Sequence, residues 1–162
     1  MQKDTNLIEL ESNGKRGNLH YDVLVLCTGF TYNNPIKSDG IYTVPARKNN
    51  LAAFTKQINE SKNIAVIGAG IVAVELAAEI AFHAKASEKK INLVVRGEKL
   101  LAQLDSKAGQ IAEEELKKHN VQIHYKTAYI ESLKKEKGFD LVLECVGQKY
   151  NSNFLAKNFS SS

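Results

Sequence analysis

Short apolar runs separated by polar turns pattern this chain, and the period of the apolar positions changes along it. Ile64 to Ile67 is an unbroken apolar run of strand length, closed by Gly68-Ala69-Gly70. From Val72 to Ala86 the spacing becomes helical: Val72, Leu76, Ile80, Ala73 and Ala77 share one broad apolar face. Ser87 to Lys90 is a polar loop, and Ile91 to Val95 is a second apolar strand. Asp105 caps a predicted helix over Ser106–Lys118, with Ile111, Ala112 and Leu116 inward and His119-Asn120 at its end. Val121 to Tyr125 alternates like a strand. Ala128–Leu133 and Phe139–Val146 are further predicted strands, separated by a charged turn at Lys134–Gly138.

The earlier part of the chain is less periodic. Leu7 to Leu10 predicts a short strand, with turns at Ser12-Asn13-Gly14 and Gly17-Asn18. Tyr21 to Cys27 predicts a second strand, closed by Thr28-Gly29. Residues 30–50, with Asn33-Asn34-Pro35, Asp39-Gly40 and Asn49-Asn50, predict a linker, and Leu51 to Ser61 a short helix. The Ser160-Ser161-Ser162 end is expected to fray. Strands alternating with helices predict an α/β fold with a Rossmann-like domain.

The glycine run carries the chemistry. A strand entering Gly-x-Gly-x-x-Ala and leaving as a helix is the opening of a dinucleotide-binding βαβ unit. Gly68 permits the tight turn, Gly70 lets a pyrophosphate approach the bare backbone, and Ala73 takes the helix–strand packing position. The free N–H groups at the start of the helix, near Ala69, Ile71 and Val72, attract phosphate. The alternative is an ordinary glycine turn in an unrelated α/β protein; the strand before, the helix after and the second apolar strand at the expected distance favour the dinucleotide reading.

An NAD site usually carries an acid about 20 residues past the glycines, to bind the ribose 2′-OH. That place falls on Val95, which cannot accept such bonds, and Arg96 follows it. Arginine there can hold the 2′-phosphate of NADP, which favours NADPH over NADH. The alternative is that Arg96 is a solvated residue at a strand end, so the cofactor is NADPH or NADH. Glu75 is open to two roles, a partly buried helix carboxylate or a contact to the nicotinamide-side ribose.

Composition narrows the picture. The 162 residues suit a domain with a real core. The formal charge of +4 comes from scattered lysines such as Lys134, Lys135 and Lys137, which argues for solvated surface rather than nucleic-acid binding. Cys27 and Cys145 form no C-x-x-C pair, and His20, His83, His119 and His124 show no ligand spacing, so no metal is expected. No catalytic side chain stands out. Residues 64–84 are apolar, but Glu75 and Glu79 would be costly in a bilayer, so no transmembrane segment is expected. Residues 1–13 are polar and carry no apolar run of a signal peptide.

Three blocks together resemble the two-dinucleotide-domain flavoproteins of the pyridine nucleotide-disulfide oxidoreductase superfamily. Tyr21 to Gly29 is similar to the segment that closes the first half of the FAD domain. Gly68 to Ile80 is similar to the NAD(P)H-domain fingerprint, and Phe139 to Gly147 to the strand that ends that domain. Asn151 to Leu155 resembles the tail that follows. The helix Val74–Ile80 and the lysine-rich loop look most like the apoptosis-inducing-factor-like, ferroptosis-suppressor and type II NAD(P)H:quinone oxidoreductase branch. No redox-active cysteine pair points to the disulfide-reductase branch.

The resemblance implies NAD(P)H over Gly68–Val72, hydride transfer to a flavin, and a quinone-like acceptor. It implies Thr28 and Gly29 against FAD, and Gly147 lining the nicotinamide site. It divides the chain into a FAD-domain remnant of β-hairpin and linker (1–50), an NAD(P)H domain (51–148) and a tail (149–162). It also implies the mitochondrion or the cytosol. Nothing before Leu24 resembles a flavin-binding glycine fingerprint, so FAD is expected only if missing sequence or a partner chain completes the site. Cys27 and Gln148-Lys149-Tyr150 depart from the family pattern. The expected partners are a dinucleotide and the rest of a flavoprotein or a larger complex. Two other expectations stay open: a truncated, non-catalytic paralogue acting as a structural or interaction subunit, and a free-standing NADPH sensor.

Overall fold

The computed structural model describes residues 6–32, 43–83, 89–129, 131–147 and 149–152. It falls into two units, Met1–Thr31 with Gln148–Ser162, and Tyr32–Gly147. In chain order the elements are β1 (Leu7–Ser12), β2 (Lys15–His20), β3 (Phe30–Thr31), α1 (Val44–Glu60), β4 (Asn63–Ile67) and α2 (Ile71–His83). They continue with β5 (Lys90–Val94), α3 (Ser106–Lys118), β6 (Val121–His124), α4 (Glu131–Lys137), β7 (Leu141–Glu144) and β8 (Lys149–Tyr150).

In the larger unit four parallel strands lie in the order β6-β5-β4-β7. The chain starts in the middle, steps outward twice, then crosses to the other side of β4, as in the first half of a Rossmann sheet. Alternate residues face opposite sides. Ile64, Val66, Leu93, Val121 and Leu143 form the larger core with Ala73, Ala77 and Ile80 of α2 and Leu116 of α3. Ala65, Ile67 and Val94 form a smaller core with Leu133 and Phe139. Cover on both faces explains why the central strand β4 is apolar from Ile64 to Ile67, whereas the edge strand β6 alternates.

Caps and staples set the ends of the elements. Asp105 Oδ1 accepts the Lys107 N–H at 2.8 Å, and α3 has the predicted bounds. Asp140 Oδ2 accepts the N–H groups of Lys62 and Asn63 at 2.9 and 2.8 Å, tying the start of β7 to the start of β4. Those two bonds hold the Asp140 carboxyl below its usual range.

Three expectations are corrected in these elements. Residues 44–50 are helical: Thr43 Oγ1 accepts the Ala46 N–H and Pro45 sits in the first turn, a start signal stronger than the Asn49-Asn50 turn signal. The rest of the predicted linker, 33–42, lies outside the described residues. The second is the strand predicted at Ala128–Leu133, followed by a charged turn. Residues 131–137 form α4 instead, because only Leu133 has a core to face and the lysines stay in water. The third is the Gly17-Asn18 turn, which lies inside β2, since Asn13-Gly14 already reverses the chain. Asn13 and Gly14 both have positive φ, 51° and 73°, as a two-residue hairpin turn requires. The end of the predicted second helix, 84–86, lies outside the described residues, as does Ser160–Ser162.

In the smaller unit β1 pairs antiparallel with β2, and β3 with β8. The predicted strand Tyr21–Cys27 does not form. Its alternate sides are both apolar, so it needs cover on both faces. Among the described residues this unit contributes nothing to the buried hydrophobic core, and Val23 and Val25 stay 82% and 75% exposed.

Gly109 lies inside α3, where Gly→Ala usually stabilises by about 1 kcal/mol. A Cβ here would stand 2.6 Å from the Leu100 carbonyl oxygen. Gly109→Ala is therefore expected to destabilise by about 1–3 kcal/mol in urea unfolding; a stabilised variant would refute the close packing.

Candidate functional site

β4 runs straight into Gly68-Ala69-Gly70, and α2 begins at the next residue. Gly68 has φ +139° and donates its N–H to the Val94 carbonyl at 3.0 Å. A Cβ on Gly68 would lie 2.9 Å from the Cys145 carbonyl oxygen and 3.0 Å from the Ala73 Cβ. The ends of β4, β5 and β7 and the first turn of α2 thus converge on one residue. Gly70 differs: a Cβ there would meet only the Gln103 amide nitrogen, at 3.8 Å. Its bareness leaves open space above the helix start. Ala69 gives its carbonyl to the Leu101 N–H at 2.8 Å, which holds the turn in place. The first N–H groups of α2, from Ile71 and Val72 on, have no carbonyl partner within the helix.

At the carboxyl ends of the strands lies a cavity of 560 Å³. Ile67, Gly68 and Ala69 line it after β4, Arg96 and Gly97 after β5, Thr127 and Tyr129 after β6, and Glu144 and Val146 after β7. Open α/β sheets bind ligands in this crevice, where the strand order reverses. Arg96 is exposed, and among the described residues no carboxylate pairs with it. Val95 is fully buried, its N–H donating to the His124 carbonyl and its carbonyl accepting from Thr127. Burial, then the Glu131 and Glu144 carboxylates, push the Tyr129 phenol up.

A comparison with known proteins decides the family. Residues 2–159 match the family described as pyridine nucleotide-disulphide oxidoreductase. The chain belongs to this family. It is 29% identical over 139 residues to the NAD(P)H coenzyme A polysulfide/persulfide reductase of Pyrococcus horikoshii, covering 81% of this chain and 30% of that protein. It is 33% identical over 117 residues to apoptosis-inducing factor homolog B of Dictyostelium discoideum, covering 65% of this chain and 29% of that protein. The chain therefore spans about a third of the curated relatives it matches. Among solved structures it resembles NDH2 from Plasmodium falciparum in complex with NADH, with a TM-score of 0.66 and 16% identity, covering 95% of this chain and 40% of that one. The expected α/β Rossmann-like fold is the fold of this family.

Within this family member the predicted site residues are distributed unevenly. Gly68, Ala69 and Arg96 come together in the cavity, and Gly70, Ile71 and Val72 adjoin it as the turn and the helix start. Gly147, with φ +70°, directly follows Val146 of the lining. Glu75 stands elsewhere, on an apolar groove between α2 and α3. Thr28 and Gly29 belong to the smaller unit, where Asn151 clasps both carbonyls at 3.0 Å through its side-chain and backbone N–H groups. Thr127, Tyr129 and Glu144 were not predicted. Their one sequence signal is position, just at or after the ends of strands β6 and β7.

Burial pushes the Cys145 thiol up to about 11, so it stays protonated and unreactive at neutral pH. Among the described residues no cluster of ligands could hold a metal, and no helix is long and apolar enough to cross a membrane.

The two glycines separate packing from access. Gly68→Ala is expected to lower stability by about 2 kcal/mol or more, through a strained φ and a backbone clash. Gly70→Ala is expected to leave it within about 0.5 kcal/mol of the native protein. Thermal unfolding of both variants checks this, and equal losses would overturn the assignment.

Proposed function

We propose that the chain is the NAD(P)H-binding part of an FAD-dependent oxidoreductase. In this reading hydride passes from the nicotinamide to a flavin, and electrons go on to a quinone-like acceptor. Residues 51–148 are the NAD(P)H domain, 1–50 a remnant of the FAD domain, and 149–162 a tail. The reading rests on one observation: a strand-edge cavity lined by both the glycine turn and Arg96. The NAD(P)H of relatives in this family supplies the chemistry, a hydride at its nicotinamide.

The residues divide the work of binding. The N–H groups at the start of α2 and the positive end of its dipole hold the pyrophosphate, and Gly70 admits it to the backbone. Arg96 pairs with a 2′-phosphate, while Val95 offers no acceptor for a free 2′-OH. Ile67 and Val146 keep water from the ligand. Gly147 borders the nicotinamide end. Thr28 and Gly29, fixed by Asn151, lie against FAD. The chain contains one glycine fingerprint, so the remaining FAD contacts come from further sequence or a partner chain. Two free cysteines accord with a reducing compartment, the cytosol or the mitochondrion.

A second reading, a non-catalytic interaction subunit, is favoured by the bare apolar stretch at Val23 and Val25. Calorimetric titration of the whole chain with NADPH and NADH separates the two. NADPH is expected to bind about tenfold tighter, the size of one charge-assisted bond, and Arg96→Ala to erase the difference. Equal affinities in the native chain would sink the Arg96 role, and no heat with either nucleotide would give the subunit reading the lead.

A further inference from the structure

The turn after β6 is hydrogen-bonded to the residues on both sides of Arg96. Val95 donates its N–H to the His124 carbonyl at 2.9 Å and accepts from the Thr127 N–H at 3.0 Å. The Gly97 carbonyl accepts from the Lys126 N–H at 2.9 Å. Arg96 is therefore flanked on both sides by peptides laced to residues 124–127.

That turn is tied down at every residue. His124 Nε2 lies 2.9 Å from Asn92 Oδ1, and Asn92 Nδ2 donates to the Ile64 carbonyl and to Asn63 Oδ1. Oδ1 is thus an acceptor, which assigns the proton to His124 Nε2. Lys126 has φ +53°, a left-handed backbone uncommon outside glycine, and its Nζ pairs with Glu98 at 2.9 Å. Thr127 Oγ1 donates to the Tyr125 carbonyl at 2.9 Å. Tyr125 reaches out of the sheet altogether: its hydroxyl donates to Glu113 Oε2 of α3 at 2.6 Å.

We infer that Tyr125, through its bond to Glu113, is a positioning residue for Arg96 and so for NADPH over NADH. The inference rests on the nucleotide reading of the cavity. Tyr125 does not line that cavity, so it acts through the backbone and not on the ligand. Its bond is charge-assisted and anchors a strained turn to a helix. Without it Lys126 can relax from its left-handed conformation, and the Gly97 and Val95 bonds loosen with it. The Arg96 guanidinium, at the end of a long side chain, then loses its fixed origin. Lys117, then Tyr125, keeps the Glu113 carboxyl below its usual range. Burial, then Glu113, pushes the Tyr125 phenol up, so donor and acceptor keep these forms at neutral pH.

The test measures the ratio of NADPH to NADH affinity in the whole chain, for the native protein, Tyr125→Phe, Glu113→Gln, Glu113→Ala and Arg96→Ala. Tyr125→Phe is expected to cut the ratio roughly threefold, about the size of one weakened hydrogen bond, with NADH affinity unchanged. Glu113→Gln keeps an acceptor and most of the preference, whereas Glu113→Ala behaves like Tyr125→Phe. A merely structural role would weaken both nucleotides alike, and that result, or an unchanged ratio, overturns the inference. Should Tyr125→Phe not fold, the two Glu113 variants decide by the same ratio. If Arg96→Ala erases a preference that Tyr125→Phe and Glu113→Ala leave intact, only the positioning role falls. If the native chain shows no preference, the Arg96 reading falls first and takes this inference with it.

Discussion

The structure of the larger unit depends on how closely its backbone packs at Gly68. One residue there takes its φ from the left-handed side, donates to Val94, and leaves less than a methyl group's room against Cys145 and Ala73. A side chain at that point would push β4, β7 and α2 apart together. The larger core of Ile64, Leu93, Leu143 and the alanines of α2 closes only because they come together here. Small residues on α2, Ala73 and Ala77, extend the same close approach down the helix.

That packing also makes the binding edge. A strand that ends in a tight turn delivers the start of a helix to the carboxyl side of the sheet, where its free N–H groups and dipole point outward. Gly70 then serves access where Gly68 serves packing. The opposite edge is held independently, by Asp140 on Lys62 and Asn63 and by Asn63 on the carbonyls of Lys137 and Gly138. The sheet is thus stapled at one end and open at the other, an arrangement suited to a ligand at the open end.

The smaller unit has no comparable constraint. A two-stranded hairpin buries little, and an isolated one is marginal in water. Among the described residues its apolar positions stay exposed or half-buried. The hydrogen bonds from Asn151 to Thr28 and Gly29 give it local order, without supplying a core. The chain spans about a third of its curated relatives, and Val23 and Val25 of Tyr21–Cys27 are exposed among the described residues.

The sequence by itself determined what is local. The period of Ile64–Ile67 and Ile91–Val95, the Asp105 cap, the Asn13-Gly14 turn and the glycine fingerprint all act within a few residues. Their backbone geometry follows from sterics and capping alone. From them the α/β family fold and the core of the cavity, Gly68 and Ala69 with Arg96, were legible. Tertiary structure decided what depends on residues far apart in the chain. Sheet order brought Thr127, Tyr129 and Glu144 to the cavity, and the packing of α2 on α3 put Glu75 on a different groove. A core contact made residues 131–137 a helix, and Tyr21–Cys27, without cover among the described residues, forms no strand. Periodicity tells which side of an element is apolar; only packing decides what that side meets.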